Sequence, residues 1–212
     1  MLYNGGMSEY LNLLDMCFDG DGKYDIPKLA PVTENLYIKD WIGFNYIATT
    51  RKHRETTGVQ FFIDDYQFER IWNLPKRFAK VVSKFGAVLS PDFSQFTDFP
   101  KAVQIFNHYR KHWCGAFWQA QGATVIPTIR WGDKESYDWC FDGEPEGSIV
   151  AVSNVGLMRN KEDRQRFMTG YNEMRTRLQP KEILIFGHLF DDYQGPVHYI
   201  KYQQAKGEQG EE

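Results

Sequence analysis

Short apolar runs that stop abruptly in polar residues recur along this chain, and helical stretches separate them. The runs lie at residues 60–63, 87–89, 124–129, 148–152 and 182–186. Between them, Phe68, Ile71, Trp72, Phe78, Val81, Val82 and Phe85 recur at helical spacing, with a break expected at Pro75. A long helix opens at Pro100 and closes at Gly122, and a charged one spans 161–178 with Phe167, Tyr171, Met174 and Leu178 on its buried face. Strands that alternate with helices specify an α/β fold with a mostly parallel sheet. Five strands are too few for a full eight-stranded barrel. We therefore expect a partial or degenerate TIM-barrel-like sheet of βα units, with a doubly wound open sheet as the alternative.

Residues 1–58 read as an N-terminal extension packing on the core, 59–200 as the α/β core and 201–212 as a flexible tail. A short amphipathic helix is expected at 9–16. The DGDGKYD stretch after it is a turn that lacks the ligand spacing of a calcium loop. Residues 36–46 carry aromatics in a loop-like setting.

Parallel sheets present their sites at the C-terminal ends of the strands. The third run, TVIPTIRWGD, delivers Arg130, Trp131, Asp133 and Glu135 there. A guanidinium suits phosphate or carboxylate, and an indole offers a stacking face; a salt bridge to Asp92 or Glu135 is the plainer reading. Asp64 and Asp65 end the first run and Asp92 the second, either as acid, base or nucleophile or as helix caps. Ser153 and Asn154 follow the fourth run, suited to a ligand or to a turn. His188 follows the fifth, placed for acid–base work or for a surface loop. His108 and His112 stand at the i, i+4 spacing of zinc proteases, but the general-base Glu is replaced by Tyr109, so they read as solvated helix histidines. Asn107, Tyr109, Arg110, Trp113, Trp118 and Gln119 form either a core stripe or a partner face.

With a net charge of −3 the chain has no global pull toward nucleic acid. Cys17, Cys114 and Cys140 form no metal or disulfide pattern and read as reduced thiols. No apolar run reaches the roughly 18 residues of a membrane span, and the N-terminus lacks a signal-peptide pattern. A cytoplasmic protein is the expectation. No Gly-rich dinucleotide or Walker A pattern follows a strand, and no motif calls for a cofactor or metal.

The motifs FFIDDYQFERIW, LSPDFSQF, NHYRKHWCGAFWQAQG, VIPTIRW and AVSNVG, in this order, resemble a bacterial and phage family catalogued as domain of unknown function forty-four seventeen. That resemblance implies an accessory role in phages or mobile elements and no activity. The strand-end series LSPDFS, VIPTIRW, AVSNVG and LIFGH is similar to tRNA-guanine transglycosylase-like barrels. This likeness implies that Asp92 is an attacking carboxylate. The four-ligand zinc cluster of those barrels has no counterpart here, and Asp92 is not followed by their usual Ser-Gly.

The expected function is a carboxylate-driven hydrolase or glycosyl transferase acting on a nucleotide, nucleic acid or related ring- or phosphate-bearing substrate. Asp92, Asp65 and His188 would carry the chemistry, and Arg130, Trp131, Glu135, Ser153 and Asn154 would bind. The alternative is a non-catalytic protein that engages a host protein or nucleic acid.

Overall fold

The structure, a computed structural model, describes residue 12, residues 18–156 and residues 160–201. The helix expected at 9–16, Asn12 apart, and the tail beyond residue 201 lie outside the described residues. A small antiparallel pair, β1 (Gly20–Asp21) and β2 (Ile26–Pro27), brackets the DGDGKYD turn. The main framework follows as parallel strands: β3 (Asp40–Gly43), β4 (Thr57–Gln60), β5 (Ala87–Leu89) and β6 (Val125–Ile126) in one sheet. A second sheet holds β7 (Ile149–Ser153), β8 (Glu182–Gly187) and β9 (Val197–Lys201), also parallel.

Spatial order equals chain order in both sheets, the arrangement of a barrel wall without a switch point. The sheets meet at one bridge, Thr128 to Ala151. Pro127 explains the narrow junction: it has no N–H to donate, so β6 stops after two residues. Its carbonyl still accepts from Ala151 N at 2.8 Å, and Ile129 N donates to Ala151 O at 2.8 Å. The framework curls enough for Phe186 of β8 to meet Trp41 of β3 edge-on at 5.3 Å and Phe62 at 4.9 Å. No pairing of β9 with β3 closes a barrel among the described residues. The fold is therefore α/β and mostly parallel, but only partly TIM-barrel-like.

Two expected loops are strands. The stretch 36–46 contains β3, inside the residues read as an N-terminal extension, and Lys201 closes β9 instead of opening a tail.

Helices cover the sheets where the spacing places them. Pro75 divides α1 (Arg70–Asn73) from α2 (Pro75–Val82), sitting at the first turn of the latter, where its missing N–H costs nothing. The long α3 (Lys101–Ala120) starts after Pro100, and α4 (Lys161–Leu178) is capped by Asn160, whose side chain accepts from Asp163 N. Alternation along β7 and β8 divides the core into two layers. Ile149, Ala151, Leu184 and Phe186 face the large cluster shared with β4, β5 and α3. Val150, Val152, Ile183 and Ile185 pack beneath Phe167, Tyr171, Met174 and Leu178 of α4. Among the described residues no helix is long and apolar enough to cross a membrane.

Candidate functional site at the strand ends

A cleft opens at the C-terminal ends of the strands, lined by Phe62, Asp92, Ile129, Arg130, Trp131, Ser153 and Phe167. Each wall comes from a different element: Phe62 follows β4, Asp92 follows β5, Arg130 and Trp131 follow β6, Ser153 ends β7, and Phe167 belongs to α4. Free space at its base is about 20 Å³, room for one water.

The charged pair at its centre is Asp92 with Arg130, Nη1 to Oδ2 at 2.7 Å. Asp92 is buried while Arg130 keeps a fifth of its side chain in solvent (20%), so the pair is desolvated on one side only. Burial raises the Asp92 carboxyl above its ordinary range, and Asp65 adds to this; Arg130 and Lys111 oppose the shift without cancelling it. The guanidinium also lies over Phe96, 5.5 Å from the ring centre.

The aromatic wall depends on Gly170 of α4. A Cβ there would lie 2.2 Å from Trp131 Nε1, so only glycine lets the indole settle against the helix. Trp131 then packs on Phe167 at 5.1 Å.

Asp92, Arg130, Trp131 and Ser153 thus meet in one cleft. The other expected site residues fall outside its lining. Asp65 ties down the neighbouring loop, accepting from Ser94 N and Oγ at 3.0 and 2.9 Å, while Asp64 is exposed and makes no side-chain cap. Glu135 is exposed and sits 3.5 Å from Lys101. Its neighbour Asp133 caps the following turn through Ser136 N and holds Lys101 at 2.9 Å. Asn154 is a fully buried brace: its amide donates to His188 O and Tyr193 OH and accepts from His188 N. The His188 side chain is exposed, its ring beside Phe190. Phe62, Ile129 and Phe167 complete the lining and were not expected; their apolar character marks core, and only the fold turns them toward the strand ends.

Comparison with known proteins gives the lineage. Residues 18–203 match the family described as domain of unknown function, DUF4417. The chain is 40% identical over 190 residues to the Gene 1 protein of Mycobacterium phage D29, covering 87% of this chain and 67% of that protein. It is also 40% identical over 186 residues to the Gene 1 protein of Mycobacterium phage L5, covering 87% and 80%. The chain belongs to the DUF4417 family. No solved structure matches it. Neither relative's name carries an activity.

Behind the cleft, this DUF4417 member buries a second polar group. His108 and His112 are fully enclosed, which corrects the expectation that they are solvated. Helix α3 is surrounded rather than amphipathic, and Asn107, Arg110, Lys111, Trp113 and Trp118 are buried beside the histidines. These form core rather than a partner face. Lys111 Nζ reaches Glu144 Oε1 at 2.5 Å and Thr128 O at 2.9 Å. His112 Nε2 stands 3.0 Å from the same Glu144 oxygen, and its Nδ1 donates to Pro27 O at 2.9 Å. His108 Nε2 donates to Asp142 O at 3.1 Å. Burial is the largest influence on Glu144 and would raise its pKa, yet Lys111 and His112 together hold it below its ordinary value. Burial also lowers both histidines. His108, His112 and Glu144 are the described residues able to hold a metal ion as a group of three.

Proposed function

We propose that the strand-end cleft binds a nucleotide, nucleic-acid end or related ring- and phosphate-bearing molecule and that Asp92 acts on it. One observation carries the reading: a desolvated carboxylate and a partly solvated guanidinium face each other at 2.7 Å beside an aromatic wall. Arg130 anchors an anionic group, Trp131 offers a ring face, and Asp92 serves as nucleophile or base. In a glycosyl-type step, Asp92 attacks the sugar carbon while the leaving base departs with the bonding pair. In a hydrolytic step it takes a proton from water as the water oxygen attacks the sugar carbon or phosphorus, and the leaving group departs with the bonding pair. The choice of substrate rests on the guanidinium and the indole that line the cleft.

A ligand screen by thermal shift tests the proposal, using nucleotides, nucleobases and short DNA and RNA. Wild type is compared with Asp92→Asn and Arg130→Ala. Ligand at 100 times its dissociation constant adds about 2.7 kcal/mol. A shift lost in Arg130→Ala and kept in Asp92→Asn, whose neutral side chain leaves Arg130 free for the anion, supports the reading, and a wild type that ignores every probe overturns it.

The second reading, a non-catalytic binder of a host protein, is favoured by exposed apolar side chains away from the cleft lining: Leu74, Val103 and Phe106. Substituting Val103 and Phe106 with Ser abolishes partner capture if this reading holds and leaves small-ligand binding intact if the first one does.

A further inference from the structure

The buried histidines are held in the manner of metal ligands. A ligating histidine gives its remaining N–H to a carbonyl or carboxylate, which fixes the ring and the tautomer. Both histidines do so: His112 through Nδ1 to Pro27 O, and His108 through Nε2 to Asp142 O. A carbonyl only accepts, so in each neutral ring the opposite nitrogen is a lone pair. His108 Nδ1 is buried and has no hydrogen-bond partner, and neither has Glu144 Oε2. His112 Nε2 points at Glu144 Oε1 from 3.0 Å, two acceptors face to face while His112 is neutral. The ligand atoms of the three residues lie within 4.8 Å of one another. Two ligands on one tetrahedral ion stand about 3.3 Å apart for bonds of about 2.0–2.1 Å. Binding an ion would draw the ligand atoms together by up to about 1.5 Å.

We propose that His108, His112 and Glu144 bind a divalent first-row transition ion, zinc by the character of two imidazoles and one carboxylate. Lys111 engages Oε1 and leaves Oε2 for the metal. The site is closed to solvent, so the ion is structural: it pins α3 to the loop that carries Glu144. The assignment stands apart from the strand-end function, because none of its three ligands lines that cleft.

The test is metal content after expression in zinc-supplemented medium and gel filtration, followed by thermal unfolding with and without chelator. One zinc per chain is expected, with a lower Tm once it is stripped. His108→Gln should lose the metal and stay folded by circular dichroism. Lys111→Met separates a metal site from a bare ion pair. With the ammonium gone the variant should be destabilised without zinc and restored by it, because the ion then neutralises Glu144. A plain Lys111–Glu144 pair gives no zinc rescue. Should the variants fail to fold, wild type reconstituted with cobalt(II) still decides the question: intense visible bands of tetrahedral coordination support the site. Folded wild type with no zinc and no such bands overturns it, as does metal retained unchanged in His108→Gln.

Discussion

Arg130 and Asp92 approach to 2.7 Å across the ends of two neighbouring strands, with the carboxylate buried and the guanidinium partly wet. Their unequal burial makes the two halves of the pair respond differently to removal. Arg130→Ala strands a buried carboxyl, which takes up a proton rather than remain charged alone. The expected loss is about 1–3 kcal/mol at neutral pH. Asp92→Asn leaves an arginine that water can reach, and it should cost less. Urea unfolding of both variants measures the difference.

The raised Asp92 pKa gives a signed pH dependence. Its ordinary value is 3.8, and burial lifts it in the fold. A carboxyl whose pKa rises on folding contributes stability that is fully present below that ordinary value and is lost as pH climbs through the folded one. Relative to wild type, Asp92→Asn should therefore gain stability as pH rises from acid toward neutral. Denaturation midpoints across that range read it. Protonating Asp92 also frees Arg130, so binding of an anionic ligand should tighten as pH falls through the same titration. Turnover, which needs the ionised form, should move the opposite way.

Asn154 separates a brace from a ligand contact. Alanine there removes three part-buried hydrogen bonds, to His188 N, His188 O and Tyr193 OH. At about 0.5–1.5 kcal/mol each, the loss is about 1.5–4.5 kcal/mol. Ligand affinity of the folded variant should stay within about threefold of wild type, a change below about 0.7 kcal/mol. Paired unfolding and calorimetric titrations distinguish the two effects.

Gly170→Ala sets two effects against each other. Alanine favours a helix interior by about 1 kcal/mol over glycine. The new Cβ would fall 2.2 Å from Trp131 Nε1, and overpacking of this kind costs about 1–3 kcal/mol. We expect a net loss of stability and an indole pushed off the cleft wall, read as weakened binding of any ring-bearing ligand.

How much of this was legible beforehand follows from where polarity coincides with exposure. The runs leading into β5, β7 and β8 are buried and apolar, and their ends fall within about a residue of expectation. The edge strands β3 and β9 were missed because edge positions are largely exposed and carry no apolar run; in β9 no residue is buried. Helix α3 misled for the opposite reason. His108, Lys111 and His112 carry polar side chains on a surrounded helix, where polarity does not mark solvent. Their partner Glu144 comes from a loop, and no spacing links a helix to a distant loop residue. Of the strand-end residues, Asp92, Arg130 and Trp131 of the first sheet and Ser153 of the second share the cleft lining. His188 and Glu135, set in loops with their own geometry, do not.

The bridge at Thr128 has a mechanical consequence. Arg130 and Asp92 stand on one sheet, while Ser153 and the α4 residue Phe167 are fixed to the other, so the cleft straddles a seam. A seam closed by one bridge resists parting far less than a continuous ladder. Widening the cleft would load that bridge and the core shared beneath it, and amide exchange at Ile129 and Ala151 should be its most direct reporter.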